Sequence, residues 1–410
     1  MATAPDLDRK PDAEAADPNA AFRLEVRDWL NANFPKALAH KDNGMSAVEG
    51  PTQPSGNELA WQTAMGDKGW GVPTWPAAYG GGGLDRRQAA ILAEEMAKVG
   101  AWNPIGGMGV MMFGPTLLEY GSEEQKREHI PAIAKGTVRW CQGYSEPNAG
   151  SDLANLQCFA EDAGDHYVVN GQKTWTSGGQ WADKCFCLVR TDKTDKHRGI
   201  SFLLIDMTAP GVEVKPIRLI SGQSPFCETF FTNVEVPKGN LVGQEGEGWT
   251  IGKRLLQHER QNLSGGGSTA GRLFAGASLA DMAKKYRGDD GGKVADADLR
   301  TRIVRHEMDK RAFALTLRRA AIEAKSNQGP SAATSIFKNV GARITQDRAE
   351  LGVEIMGMNG LGWEGDGFTA DELAQTRTWL WGKAVSIYGG SSEIQNNVIA
   401  KRILGMLDHQ

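Results

Sequence analysis

Residues Cys141–Gln157 read CQGYSEPNAGSDLANLQ, and residues Tyr167–Arg190 read YVVNGQKTWTSGGQWADKCFCLVR. Small and hydroxyl-bearing residues crowd two turns in these segments, one on each side of a predicted β-hairpin whose turn is Asn170–Gly171. Such residues let backbone N–H groups approach a flat or anionic ligand closely, because no bulky side chain intervenes. The indole of Trp175 lies between the two turns. The pattern predicts a bound aromatic, phosphorylated cofactor; the alternative is that Trp175 is a simple core residue.

Composition excludes several classes of protein. The chain has 410 residues, 40% hydrophobic and 23% charged, with a formal net charge of −4. This balance argues against a nucleic-acid binder, which shows a basic face, and no apolar run approaches the ~18–20 residues of a membrane span. The N-terminus lacks the apolar core of a secretory signal. The five cysteines form no CxxC pair and the seven histidines have no ligand spacing, so we expect a reduced, cytoplasmic protein without a metal site.

Hydrophobic periodicity divides the chain into segments. A lead-in at residues 1–20 is rich in Pro, Ala and Asp and is expected to be disordered. Helical spacing follows in residues 21–139, where Ser122 and Gln125 form a predicted capping box. Strand patterns fill residues 140–246, and helical spacing returns in residues 247–410. Because the predicted strands lie in one central block, we expect an α+β fold: an N-terminal helical domain, a central β-barrel-like domain and a C-terminal helical bundle.

The chain resembles the acyl-CoA dehydrogenase family from about residue 20 to residue 406. The motifs that carry the resemblance keep the family's order and spacing: YSEPNAGSDLA, VVNGQKTWTSGG, NVEVP with GNLVGQEGEGW, and YGGSSEIQNNVIAKRILG. The resemblance implies non-covalent FAD and α,β-dehydrogenation of an acyl-CoA thioester, as in fatty acid β-oxidation and lipid metabolism. Electrons would pass to an electron-transferring flavoprotein. It also implies a tetramer, either a homotetramer or a mixed tetramer with a paralogous subunit.

The resemblance also assigns site residues. Those expected to bind FAD are Gln142, Tyr144, Ser145, Gly150, Ser151, Trp175, Thr176, Ser177, Glu354, Gly357, Ser391 and Glu393. Those expected to contact the substrate are Ser151, Arg260, Tyr388 and Gly390. Taken alone, Ser151–Asp152 is also typical of a helix N-cap, and both interpretations can hold together.

The chain departs from the family at the catalytic base. Many members carry a Glu directly after the tyrosine that matches Tyr388, but here that position is Gly389. Its backbone N–H remains, and in the family this group polarises the thioester oxygen. Some relatives carry the base on the first helix after the β domain, next to an Arg, where this chain has Glu259 and Arg260. We therefore expect Glu259 to take the α-proton; the alternative is an exposed Glu–Arg pair on an ordinary helix.

A second departure concerns the distant part of the FAD site. The family's Arg-x-x-Phe-Gly appears here as AKKYRGDDGGK, and its Gln-x-x-Gly-Gly begins at Glu354. Some bacterial relatives with such losses work as paired, unlike subunits. Three alternatives stay open: a non-catalytic or half-site subunit of a mixed tetramer, a non-redox lyase resembling a desulfinase, and a nitroalkane-oxidising or hydroxylating relative. Small residues at Ser264–Ser268 predict either room for a bulky, branched or dicarboxylic acyl chain or only a flexible start or kink of a helix.

Overall fold

The computed structural model describes residues 18–40, 54–264, 278–326 and 334–406. Its chain forms two compact units, each of which is described by itself. The first comprises residues 1–142, 181–186 and 204–208, and the second comprises residues 143–180, 187–203 and 209–410, as far as these are described. Most of the segments quoted above, together with the C-terminal helices, therefore belong to the second unit.

Helices dominate the described part of the first unit. They are α1 (Ala20–Asn33), α2 (Gly56–Asp67), α3 (Arg86–Lys98), α4 (Gly114–Tyr120) and α5 (Glu123–Ala134). The predicted capping box at Ser122 and Gln125 is confirmed at the start of α5. The core of this unit combines aliphatic and aromatic side chains. Trp61 is fully buried, and its ring lies 5.5 Å from that of Trp29 and 5.0 Å from that of Phe34. Each large aromatic side chain in such a core buries a wide apolar surface.

Seven strands form one sheet in the middle of the chain. They are β1 (Trp140–Gly143), β2 (Phe159–Asp162), β3 (His166–Ser177), β4 (Lys184–Arg190), β5 (Ile200–Asp206), β6 (Val212–Ile217) and β7 (Phe226–Pro237). Their order is β1-β4-β2-β3-β7-β6, with β5 beside β4. The long strands β3 and β7 pair antiparallel along their length. The predicted α+β fold is thereby confirmed, with N-terminal helices, a middle β half-barrel and C-terminal helices.

The predicted hairpin turn at Asn170–Gly171 is wrong. Strand β3 runs straight through this pair, and its register against β7 shifts between Val169 and Gly171. The glycine has a φ of +150° and lies so close to β2 that an added Cβ would stand 2.6 Å from the Cα of Cys158. The short turn actually lies between β2 and β3, where the Ala163 N–H donates to the His166 carbonyl over 2.9 Å. Pairing with β7 and close approach to β2 have overridden a local turn signal.

The C-terminal part of the second unit is helical. Its described helices are α6 (Gly248–Ser264), α7 (Leu279–Arg287), α8 (Ala297–Ser326), α9 (Thr334–Met356), α10 (Ala370–Gly382) and α11 (Ser392–Val398), with a small hairpin of β8 (Asp289–Asp290) and β9 (Lys293–Val294). Apolar residues of α7, α8 and α9 share one core. Helix α10 starts at a capping box of Thr369 and Glu372. Hydrogen bonds to the Glu372 carboxylate lower its pKa to about 2. The largest effect comes from the backbone N–H of Thr369, and the next from the Tyr286 hydroxyl.

Three global properties bear on function. Within the described ranges, no helix combines the length and the apolar character that crossing a bilayer requires. The same residues contain no cluster of three or more His, Cys, Asp or Glu side chains arranged to hold a metal ion. All five cysteines are buried and free.

Candidate functional site

The first turn of the site follows β1 and is fastened to β3. Glu146 and Ala149 exchange backbone hydrogen bonds of 3.1 and 3.0 Å, which close the turn. The Ser145 carbonyl accepts a 2.8 Å hydrogen bond from the N–H of Thr174. Because Thr174 directly precedes Trp175, this bond joins the two motifs that lie apart in the sequence.

A buried ion pair lies beneath this turn. The Lys173 side chain is 0% exposed, and its Nζ lies 2.7 Å from Glu146 Oε1. The same ammonium donates to the Tyr144 carbonyl over 3.2 Å. The Glu146 carboxylate also accepts from the N–H groups of Gln157 and Cys158, at 2.6 and 2.9 Å. The pair therefore connects the turn, β3 and the start of β2 through charge-assisted hydrogen bonds.

The surroundings keep this lysine charged. Burial lowers the pKa of the Lys173 ammonium, but the negative charge and the hydrogen bond of the Glu146 carboxylate oppose that effect, and the pKa is raised. The pKa of the Cys158 thiol is raised well above its usual range, first by its hydrogen bond with Cys187 and then by burial. Cys158 is consequently an inert thiol, since the thiolate is the reactive form.

Trp175 stands out in both conformation and exposure. It lies where the pairing of β3 with β7 shifts between Lys173 and Thr176. Its φ is +60°, in the left-handed region that bulky residues rarely adopt. The side chain is 55% exposed, so Trp175 is not a core residue. Strain of this kind costs roughly 1–3 kcal/mol and clusters at functional sites.

The residues after Trp175 form the second turn. Thr176 is buried and accepts a 3.1 Å hydrogen bond from the Thr229 hydroxyl. Ser177 pairs with Phe226 at the end of the sheet. Gly178 has a φ of +67°, and its N–H donates to the Pro225 carbonyl over 2.8 Å. Two closed turns thus flank one exposed indole.

The remaining residues of the first segment lie in two environments. The buried amide nitrogen of Gln142, on β1, has no hydrogen-bond partner among the described residues. Tyr144 is buried, with its ring edge-on to Phe202 at 6.4 Å. Gly150 and Ser151 are exposed, and a Cβ added at Gly150 would meet nothing within 4 Å. The helix N-cap expected at Ser151–Asp152 is not borne out: Asp152 precedes only a 3₁₀ turn and makes no side-chain capping bond.

The last motif forms an exposed loop before α11. Tyr388 is 44% exposed, with the Lys338 ammonium 4.5 Å from its ring centroid. Gly389 and Gly390 both have positive φ, at +64° and +92°. Ser391 is the N-cap of α11, where its hydroxyl accepts from the N–H of Ile394. Two hydrogen bonds lower the pKa of the Glu393 carboxyl: the larger effect comes from its own backbone N–H, and the smaller from the Ser391 hydroxyl.

Two predicted cofactor residues lie at the end of α9. The Glu354 carboxylate forms a bidentate ion pair with Arg302, and this hydrogen bonding lowers its pKa. Arg287 donates to the Glu354 carbonyl. Gly357 has a φ of +59°, and a Cβ there would lie 3.2 Å from the Arg287 guanidinium. Arg287 is therefore the cation of the AKKYRGDDGGK segment that lies against Glu354 and Gly357.

The candidate base lies on a helix, as predicted. Helix α6 extends from Gly248 to Ser264 and includes both Glu259 and Arg260. The side chains of these two residues lie outside the described part of the structure, as do residues 265–268 of the small-residue segment. Their roles stay predictions.

Sequence reasoning missed two sets of residues. Glu146 and Lys173 were charged residues inside otherwise small and polar motifs, and that contrast was the available signal. No sequence signal pointed to Phe226 or Trp381. In the structure the Trp175 ring meets the Phe226 ring edge-on at 5.9 Å, and Phe226 stacks on Trp381 at 5.6 Å.

Three family models match the chain along most of its length. They describe the N-terminal domain of acyl-CoA dehydrogenase at residues 17–137, the middle domain at residues 141–234 and the C-terminal domain at residues 246–404.

Individual relatives agree with the family models. Acyl-CoA dehydrogenase IpdE1 of Mycolicibacterium smegmatis is 36% identical, covering 94% of this chain and 97% of its own. The ChsE4–ChsE5 complex of Mycobacterium tuberculosis is similar in structure, with a TM-score of 0.71 and 30% identity over 97% of this chain and 100% of that one. The Tcur3481–Tcur3483 steroid ACAD has a TM-score of 0.73 and 28% identity over 98% and 99%. Because the three family models together match most of its length and a relative is 36% identical over 94% of it, this chain belongs to the acyl-CoA dehydrogenase family.

Proposed function

We propose that this chain is an FAD-dependent acyl-CoA dehydrogenase that introduces an α,β double bond into a CoA thioester and passes the electrons to an electron-transferring flavoprotein. The observation that carries the proposal is Trp175, a large aromatic residue held exposed in a left-handed backbone conformation between two closed turns. A flat ring system is the ligand that such a surface suits best.

The residues present fit FAD. The buried amide nitrogen of Gln142 has no partner among the described residues, and such a donor is costly unless a ligand accepts from it. The space beside Gly150 is open. We propose that the cofactor is held by the residues of the two turns: Gln142, Tyr144, Ser145, Gly150, Ser151, Trp175, Thr176 and Ser177. When bound, FAD supplies the acceptor for the β-hydride.

The distant part of the cofactor site is proposed to involve the C-terminal helices. Glu354 and Gly357 lie against Arg287, whose guanidinium suits a pyrophosphate. Ser391 and Glu393 begin α11. These groups complete the proposed binding set.

Two groups of the chain are proposed to handle the proton and the thioester oxygen. Glu259 on α6 takes the α-proton, a role that suits a carboxylate near an apolar substrate. The N–H of Gly389 donates to the thioester oxygen; among the described residues it has no other acceptor. Arg260, Tyr388 and Gly390, with Ser151, contact the substrate.

We further propose a bulky acyl group as the substrate. A similar structure is named a steroid ACAD, with 28% identity and a TM-score of 0.73. The small side chains of Ser264–Ser268 in the sequence support the same class. The test below compares such a bulky acyl-CoA with straight-chain fatty acyl-CoAs.

Assembly with further subunits is proposed as well, either a homotetramer or a mixed tetramer. Apolar side chains lie exposed along α8: Val304, Met308, Leu315 and Ile322, at 52, 65, 51 and 59%. Such a stripe is typical of an interaction surface. The ChsE4–ChsE5 neighbour is itself a complex. We also propose the cytoplasm as the compartment, because five free cysteines suit a reducing environment.

The visible spectrum of the purified protein, followed by anaerobic addition of acyl-CoAs, tests the function. We expect a yellow protein whose flavin absorbance is lost with a polycyclic acyl-CoA and less so with straight chains. Glu259→Gln is expected to slow this reduction by about 10²–10⁴-fold. Glu323→Gln, which alters an exposed ion pair on α8, is the matched control.

Other outcomes identify the alternatives. Reduction by no acyl-CoA in the panel would contradict the proposed activity, and full reduction by Glu259→Gln would remove the proposed base. Thioester cleavage without loss of flavin absorbance indicates a lyase. A colourless protein that turns yellow only with a co-expressed paralogue indicates a subunit of a mixed tetramer.

A further inference from the structure

Two aromatic rings lie behind Trp175 and come from distant parts of the chain. Phe226 begins β7 opposite Ser177, and its ring meets the Trp175 indole edge-on, at 5.9 Å and 83°. Phe226 also contacts a ring of α10: the Trp381 ring stacks on it, with the centroids 5.6 Å apart and the ring planes at 8°. The three rings form a continuous row that we call the aromatic row: Trp175, Phe226 and Trp381.

The first end of the row is under strain. Trp175 holds a φ of +60° and exposes 55% of its surface, so its own burial contributes little to keeping it there. A strained residue of this kind persists only where neighbouring groups determine its position. An edge-to-face contact is directional, because the ring quadrupoles favour one geometry over others. Phe226 is thus placed to fix the orientation of the indole.

The other end of the row leads to the exposed loop before α11, which contains Gly389 and Gly390. Trp381 is the penultimate residue of α10, which is followed by a 3₁₀ turn at Lys383–Ser386 and then by Tyr388 and Gly389. The Ile387 and Tyr388 N–H groups both donate to the Ala384 carbonyl, at 2.9 and 3.1 Å. These two bonds join the first residues of the loop to the 3₁₀ turn that follows α10.

We propose that Phe226 and Trp381 are positioning residues, which hold the Trp175 indole and align it with the loop that carries the Gly389 N–H. The inference rests on the proposed function, in which Trp175 lies against the cofactor and Gly389 faces the thioester. Neither ring touches the reacting atoms; each acts through Trp175 or the loop.

Five variants of the full-length protein test the proposal. Phe226→Leu and Trp381→Leu remove one ring each from the aromatic row. Phe230→Leu on β7 and Trp379→Leu on α10 are the matched controls, because they make the same substitutions on the same strand and helix outside the aromatic row. The Phe230 ring contacts Lys215, and the Trp379 ring contacts Lys383. Trp381→Phe keeps a ring and serves as the conservative rescue.

Hydrogen–deuterium exchange of the FAD-free protein is the first measurement. We expect peptides covering Trp175 and Gly389 to exchange about tenfold faster in the two row variants, a change of about 1.4 kcal/mol in local opening. The two controls should match the wild type in these peptides. Exchange unchanged in both row variants, or equally fast in the controls, would overturn the proposal whether or not the protein binds FAD.

Flavin binding and its circular dichroism are the second measurement. The row variants are expected to bind FAD about tenfold more weakly and to shift the visible dichroism of the bound flavin, with Trp381→Phe close to the wild type. A wild type that binds no FAD contradicts the proposed function but leaves the exchange result decisive. A wild type that binds FAD, with row variants identical to it in dichroism and affinity, contradicts the positioning role.

Discussion

The buried pair of Lys173 and Glu146 gives the sharpest prediction about stability. Lys173→Met removes the cation from a carboxylate that is only 8% exposed. Removing one partner of a buried pair typically costs about 3–5 kcal/mol, because the other charge is left uncompensated. Here the N–H groups of Gln157 and Cys158 still donate to Glu146. We therefore expect a smaller loss in the free energy of unfolding, of about 2–4 kcal/mol.

The assay is guanidinium unfolding followed by fluorescence, at neutral pH and without added FAD. Lys196→Met is the matched control. It removes a 3.1 Å ion pair with Asp152, which lies in the same Cys141–Gln157 segment as Glu146, but the Lys196 and Asp152 side chains are 55 and 62% exposed. An exposed pair contributes only about 0–1 kcal/mol. The variant and the control should consequently differ in unfolding midpoint by a clear margin.

A double-mutant cycle identifies the cause. Glu146→Gln leaves a fully buried ammonium, whereas the double variant Lys173→Met with Glu146→Gln leaves no buried charge of the pair. We expect the double variant to be about 1.5–3 kcal/mol more stable than the sum of the two losses predicts. If Lys173→Met matches Lys196→Met, or if the two losses simply add, the carboxylate is not buried against this lysine and the reasoning is refuted.

Three further predictions concern backbone strain, close approach and acid stability. Trp175→Gly should be about 1 kcal/mol more stable than Trp175→Ala, because only Gly adopts a positive φ without penalty; equal thermal midpoints would argue against the left-handed backbone. Gly171→Ala should destabilise by about 2–4 kcal/mol, since its Cβ would meet the backbone of Cys158, whereas Gly150→Ala should be neutral in the same denaturation assay. Burial alone would raise the pKa of Glu95, but hydrogen bonds from Lys98, Arg23 and Arg27 outweigh it and lower that pKa to about 2. Its contribution, roughly 2 kcal/mol after allowance for the exposed partners, is present above the unfolded pKa and is lost as the pH falls toward 2. The thermal midpoint of Glu95→Gln should therefore depend less on pH between 5 and 2 than that of the wild type.

Local rules predicted the helices well. The capping box at Ser122 needs only residues three apart, and the start of α5 confirms it. Helix α6 likewise follows from the periodicity of residues 249–260 and includes Glu259 as expected. Helical hydrogen bonds connect residues four apart, so a short stretch of sequence contains most of the information that a helix needs.

The strands show where local rules fail. Asn170–Gly171 is a strong turn signal, yet it continues β3 because the pairing with β7 extends on both sides of it. The glycine is needed for a different reason, which is the close approach of Cys158. A glycine inside a strand indicates a bulge or the close approach of another segment. The sequence does not show which segment approaches, because here it belongs to another part of the chain.

The order of motifs in the sequence by itself determined the family and the α+β architecture, and it singled out Trp175 as a candidate site residue. Only the tertiary structure decided how that tryptophan is presented. Trp175 is exposed in a left-handed backbone conformation, next to an ion pair of Lys173 with Glu146 and to the rings of Phe226 and Trp381. These contacts span 27, 51 and 155 residues of chain. The physical reason is that periodicity reports short-range hydrogen bonding and burial, whereas ion pairs and ring stacks depend on which distant segments the folded chain brings within a few ångströms of one another.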